Sequence, residues 1–132
     1  MSTPKSNLSP CPWEQVADPL RSALGDYHGA ARRKVSQGQE HTFICEGAAL
    51  LLRGEGSELV VVGFAGEHKL KQACPHILTL AKTIGAQTIR LHTKRRGECR
   101  YLNRLGYPFE QQFINDEYVL RMVVNGRQFE QC

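Results

Sequence analysis

Apolar residues near the start of the chain recur every three or four positions: Trp13, Val16, Ala17, Leu20, Ala23 and Leu24. That spacing predicts a helix over 13–24, interrupted at Pro19 and stopped by Gly25. Residues 30–39 are polar and basic, without an apolar period. The pattern then changes to β-rich runs at 41–46, 48–53 and 58–64, separated by Gly47 and by Gly54-Glu-Gly-Ser. Separations this short predict three consecutive antiparallel strands.

Helical character returns over 67–84, which ends at Gly85 and is divided by Pro75. Proline is tolerated in a first helical turn, so the regular part is expected to start near Pro75, with Ile77, Leu78, Ala81 and Ile84 facing inward. A strand over 88–92, a helix over 97–105 and a hairpin over 109–124 turning at Asn115-Asp116 complete the pattern. No internal repeat interrupts it. Helix-bearing connections around a mixed sheet make this a single α/β domain spanning 13–126. The Ser/Pro/Asn-rich residues 1–12 form an N-terminal arm, and 127–132 a short C-terminal tail.

A chain of 132 residues fits one domain that buries roughly two thirds of its unfolded surface. Its apolar runs are far shorter than the roughly 18 residues a membrane helix needs. No secretory signal is readable at the start, so a cytoplasmic location is expected. The five cysteines, Cys11, Cys45, Cys74, Cys99 and Cys132, fit neither a disulfide framework nor metal-ligand spacing, and no metal is expected. The net charge of +4 is unevenly spread. Lys94, Arg95, Arg96, Arg100 and Arg104 form a basic patch, with Arg100 and Arg104 one helical turn apart. Such a cluster suits a solvated helix face, a phosphate group or an acidic partner. It carries no interleaved aromatic platform, so nucleic acid is a weak expectation.

The segments Ala81-Lys-Thr-Ile-Gly-Ala, Thr88-Ile-Arg-Leu-His-Thr and a helix ending in Leu105-Gly106-Tyr107, followed by the hairpin, stand in a recognisable order. That order resembles the C-terminal half of the GNAT acyltransferase superfamily. The resemblance implies a GNAT-like mixed sheet flanked by helices, with a splayed strand pair that admits acetyl-CoA. It also implies a pyrophosphate loop of the Arg/Gln-x-x-Gly-x-Gly/Ala type after the strand that precedes the central helix. Here that stretch is Ala65-Gly-Glu-His-Lys-Leu-Lys-Gln-Ala-Cys. Gly66 supplies one glycine, Leu70 or a neighbour stands in the second place, and His68, Lys69 and Lys71 are the remaining candidates for holding the cofactor.

The family's thiolate-protonating Tyr, four residues before the Gly of the helix ending, falls on Leu102, so Tyr101 is the nearest phenol. For a general base the candidates are Glu46, Glu58, His68 and His92, of which His92 lies near a strand end. Cys74 and His76 are two residues apart on a helix and do not face each other. No Gly-x-Ser-x-Gly elbow or Walker loop is present.

Two functions follow. The altered loop and missing Tyr imply a degenerate GNAT-like protein that has lost canonical acetyl-CoA chemistry. It would act by protein binding, engaging an assembly partner through residues 1–12 and the basic patch. Small divergent GNAT-like proteins of this type occur among bacteriophage products, some virion-associated, which would place a phage-encoded chain in the virion. The alternative is an active acetyl-CoA-dependent N-acyltransferase with an atypical pyrophosphate loop, since direct amine attack needs few side chains. An open splayed cleft lined by 66–71 would favour the enzyme, and a cleft filled by side chains the scaffold.

Overall fold

The run 48–52 is apolar at every position, the pattern of a strand covered on both faces, and all five residues are buried. A computed structural model describes residues 8–66 and 69–124 and places this run near the middle of one sheet. Among the described residues the elements follow in the order β1 (Ser9–Pro10), α1 (Trp13–Leu24), a 3₁₀ turn (Gly25–Tyr27), α2 (His28–Ser36), β2 (His41–Cys45), β3 (Ala48–Glu55) and β4 (Glu58–Ala65). Then come α3 (Leu70–Thr83), β5 (Thr88–Thr93), α4 (Glu98–Arg104), β6 (Glu110–Ile114) and β7 (Glu117–Val123). The strand order across the sheet is β1-β2-β3-β4-β5-β7-β6. Only the β4/β5 neighbours run parallel, and α3 supplies the crossover that parallel neighbours require.

Side chains of a strand alternate between faces, and β3 uses both. Leu50 and Leu52 enter a core with Ile77 and Ala81 of α3 and Leu102 of α4. Ala49 and Leu51 meet Trp13, Val16, Leu20 and Leu24 of α1 and Ala31 of α2 on the other side. The mixed α/β sheet flanked by helices expected from the sequence is therefore present, with helices on both faces.

Several local expectations change. Helix α1 continues through Pro19, and α3 begins at Leu70 and continues through Pro75 rather than starting there. Each proline withholds one N–H from the carbonyl four residues earlier. Those carbonyls belong to Gln15 and Lys71, both exposed residues, so water can satisfy them. The polar stretch after Gly29 contains α2, whose inward side is little more than Ala31 and half-buried Val35; so narrow an apolar face left no readable period. Residues 8–11 lie against their own sheet. Leu8 is buried, β1 pairs with β2, and Thr42 Oγ1 donates to the Cys11 carbonyl at 2.6 Å. The outer arm, His68 and the tail fall outside the described residues.

The hairpin turn matches its sequence signal. Asn115 and Asp116 have φ of 53° and 64°, the paired left-handed conformations of a tight hairpin that Asn and Asp tolerate best.

Strands β4 and β5 pair over only four positions, from Glu58↔Thr88 to Val61↔Leu91. At that point the β3/β4 register shifts: Leu52 faces Val61 but Leu51 faces Gly63, leaving Val62 as an extra residue. A bulge bends its strand, and beyond it residues 62–65 of β4 run on without a β5 partner. The helix above needs the bulge's glycine. A Cβ on Gly63 would stand 2.7 Å from Leu24 Cδ2.

Below the bulge an ion lattice spans the strands. Arg90 donates from Nη1 to Glu58 Oε1 at 2.9 Å and from Nη2 to Glu55 Oε1 at 3.0 Å. Glu58 Oε2 accepts from Arg121 Nε at 2.6 Å and from Thr88 Oγ1 at 2.9 Å. Burial acts to raise the Glu58 pKa, but the Arg121 and Thr88 hydrogen bonds and the Arg121 and Arg90 charges outweigh it and hold it below 4.5. Glu55 is likewise lowered against burial by Arg90 and Arg53.

Two expectations follow. Gly66→Ala should destabilise more than Gly63→Ala, with a cost of about 1–3 kcal/mol in urea unfolding. At Gly66 the new Cβ meets Ala48 Cβ at 2.6 Å and its backbone Cα at 3.0 Å, whereas at Gly63 it meets the rotatable end of Leu24. Equal losses would contradict this packing. For Glu58, the depressed pKa means that its stabilisation is present above the ordinary carboxylate value and lost as pH falls through the lowered one. Glu58→Gln should therefore cost about 2 kcal/mol at pH 7 and progressively less as pH falls below the ordinary carboxylate range; a pH-independent cost would remove the lattice from acid stability.

Candidate functional site

Where β4 and β5 part, a cleft of about 1070 Å³ opens. Its walls are Val62, Gly63, Phe64 and Ala65 of β4 and Leu91, His92 and Thr93 of β5. The end of α1 and the following turn reach it through Leu24, Asp26 and Tyr27, and α4 reaches it through Glu98 and Tyr101. Helix α1 packs with one core and α4 with the other, so the cleft joins the two faces of the sheet. It is open, with Gly66 and Leu70 at its loop end.

The loop residues named from the sequence take different positions. Gly66 lines the cleft, yet it is also pressed onto Ala48, so close packing alone calls for a glycine there. Lys69 turns toward the β2–β3 connection, its Nζ 4.0 Å from where a Cβ on Gly47 would stand. Lys71 is exposed in the first turn of α3. That turn contains no acidic residue and N-cap Lys69 supplies no side-chain acceptor, so the positive end of a 14-residue helix is left uncompensated by its own residues.

The basic patch divides. Lys94 and Arg95 line the cleft, while Arg96, Arg100 and Arg104 are exposed outside its lining. Of the base candidates, Glu58 is held in the lattice at the closed end of the strand pair, and Glu46 lies in the β2–β3 turn, 3.5 Å from His76 Nε2. His92 lines the cleft with both ring nitrogens engaged: Nδ1 is 2.9 Å from Glu117 Oε2, and Arg90 Nε donates to Nε2 at 3.0 Å. Tyr101 also lines the cleft and is 37% exposed.

Besides Asp26 in the turn after α1, sequence reasoning passed over two cleft carboxylates that stand beside His92 and Tyr101. Glu117 begins β7 and meets His92 across the sheet. Glu98 stands one turn before Tyr101 on α4; burial raises its pKa, with the charge of Arg95 acting in the opposite direction. The only sequence clue to Glu98 was its i, i+3 spacing from Tyr101. Glu117 gave none, because its partner lies 25 residues away.

Two neighbouring groups are biased toward their protonated forms. The Cys74 thiol is pushed up to about 12 by burial and by the charge of Glu98. Tyr27 is pushed up to about 12 by burial and by its 2.5 Å hydrogen bond to the buried Glu40, which also accepts from Arg53 Nη1 at 2.6 Å. These contacts hold Tyr27 and Arg53 as a fixed wall of the cleft. Among the described residues, no group of three or more His, Cys, Asp or Glu could hold a metal ion, and no helix is long and apolar enough to cross a membrane.

No protein-family profile matches the sequence, and no curated protein matches it significantly. Solved structures do. A Bacillus subtilis acetyltransferase in complex with CoA aligns with a TM-score of 0.62 at 16% identity, over 90% of this chain and 97% of its own. An IAA acetyltransferase from Bacillus cereus aligns at 0.66 and 13% identity, over 88% and 97%. PaiA N-acetyltransferase from Thermoplasma acidophilum, in complex with coenzyme A, aligns at 0.56 and 11% identity, over 93% and 99%. With its seven-stranded mixed sheet flanked by helices and parted between β4 and β5, the chain has the fold of the GNAT acetyltransferases.

Proposed function

We propose that this protein is an acyl-CoA-dependent N-acyltransferase. The observation that carries the reading is the open cleft at the point where β4 and β5 stop pairing. CoA offers an amide-bearing pantetheine arm ending in a thiol, and residues 62–65 offer it a strand edge without a β5 partner. Its phosphates need positive charge. Lys94 and Arg95 in the lining, with Lys71 and the N-terminus of α3, are the groups suited to them. With Leu70 near the second glycine position, phosphate binding here leans on lysine and arginine side chains more than on a glycine cradle.

The bound thioester would supply an activated acyl carbonyl. On the protein side, Tyr101 and Glu98 share one face of α4 and both line the cleft. Burial raises the Glu98 pKa against the charge of Arg95, so Glu98 joins Tyr101 as a candidate proton donor for a departing thiolate.

The competing reading is a scaffold that binds an assembly partner through residues 1–12. An unfilled cleft weighs against a purely structural use of the fold, and residues 9–11 lie along β2 of their own domain. No feature of the described residues speaks for a virion role.

Calorimetric titration with CoA should give saturable micromolar binding, and Lys71→Glu combined with Arg95→Glu should weaken it about tenfold or more. A folded sample that takes up no CoA would return the protein to the scaffold reading. Glu98→Gln should raise the melting temperature at pH 7. The raised pKa means that native Glu98 holds its proton where the unfolded chain has lost it, so its contribution falls as pH rises. The variant's advantage should shrink toward pH 4, and an advantage that persisted there would have another source.

A further inference from the structure

The arrangement around His92 changes which group faces an acceptor. Arginine Nε always carries its hydrogen and can only donate. Arg90 Nε, 3.0 Å from His92 Nε2, therefore makes that nitrogen an acceptor. The ring hydrogen then resides on Nδ1 and is donated to Glu117 Oε2 at 2.9 Å. Arg90 cannot readily turn away, since its two Nη atoms are held by Glu58 and Glu55 and its side chain is only 17% exposed. His92 thus presents no free lone pair to the cleft. Glu117 does: it lines the cleft, its side chain is 33% exposed, and among the described residues its Oε1 accepts no hydrogen bond.

Resting on the transferase reading above, we infer that Glu117 is the acceptor-side carboxylate, binding a primary alkylammonium and taking its proton, with Arg90 and His92 as positioning residues. A carboxylate anchored through one oxygen offers the other in a fixed direction, which suits a single cationic nitrogen. One proton passes from the ammonium to Glu117 and frees the nitrogen lone pair. That pair forms the C–N bond at the thioester carbonyl carbon, and the C–S bond breaks with its electrons remaining on sulfur. The second proton lost from nitrogen ends on the thiolate, and Glu117 returns its own proton to solvent. The products are an amide, CoA thiol and one proton.

The test uses n-butylamine as the probe and n-butanol as its uncharged counterpart, titrated into the full chain with and without saturating CoA and followed by NMR. We expect n-butylamine to bind saturably and shift the His92 resonances, and n-butanol to leave them unmoved. Nitrogen shifts of His92 should report the Nδ1–H tautomer. Glu117→Gln should weaken n-butylamine about tenfold while leaving CoA affinity unchanged, and Glu117→Asp, which keeps the charge but withdraws it, should fall between. Acetyl-CoA consumption with n-butylamine should drop about a hundredfold in Glu117→Gln. Amine binding that is indifferent to both substitutions, or an Nε2–H tautomer, would overturn the assignment. Loss of CoA binding in the unaltered protein would instead bring down the transferase reading, with amine binding to the CoA-free chain still deciding the role of Glu117.

Discussion

Four residue pairs of parallel ladder, Glu58 to Val61 against Thr88 to Leu91, join the two halves of the sheet. If β4 stayed straight, the ladder would extend and the cleft would close. The extra residue at Val62 bends β4 where the ladder ends. The bend is in turn held by α1, whose Leu20 and Leu24 pack over Gly63, so the shape of the cleft depends on a helix–glycine contact distant in sequence from the loop that follows β4.

So short a ladder needs support, and side chains provide it at the closed end. Glu58 of β4, Arg90 of β5 and Arg121 of β7 are tied together, and the Ser57 carbonyl accepts from Gln87 N–H at 2.6 Å. Ion pairs in open solvent contribute little, but Glu58 and Arg90 are mostly shielded and each of their side-chain bonds is charge-assisted. The lattice continues through Arg90 to His92 and Glu117 at the open end. One set of contacts therefore holds the strands together and orients the polar groups of the cleft.

The site differs from the pattern expected of its fold mainly at the loop after β4. Gly66 remains, but against Ala48 it has a packing role of its own, and Lys69 leans toward the Gly47 turn. Positive charge reaches the cleft from Lys94 and Arg95 instead. Under the transferase reading proposed above, a phosphate would meet charge from these side chains, because a field depends on where charge lies more than on which loop carries it.

Local pattern was enough to determine the strands around Gly47, the stop at Gly25, the Asn115-Asp116 hairpin and the helix ending at Leu105-Gly106-Tyr107, because periodicity and turn chemistry act over a few residues. It also brought His92 and Tyr101 forward, both of which line the cleft. It missed α2, with its narrow apolar face, and misplaced the start of α3, since a proline whose freed carbonyl is exposed costs a helix less than the pattern implied. Only the tertiary structure decided that β4 leaves β5 at Val61, that Arg90 occupies the free nitrogen of His92, and that Glu98 and Glu117 enter the cleft. Contacts such as Glu58 with Arg121, 63 residues apart, depend on strand order and register, which a linear pattern of apolar and polar residues does not specify.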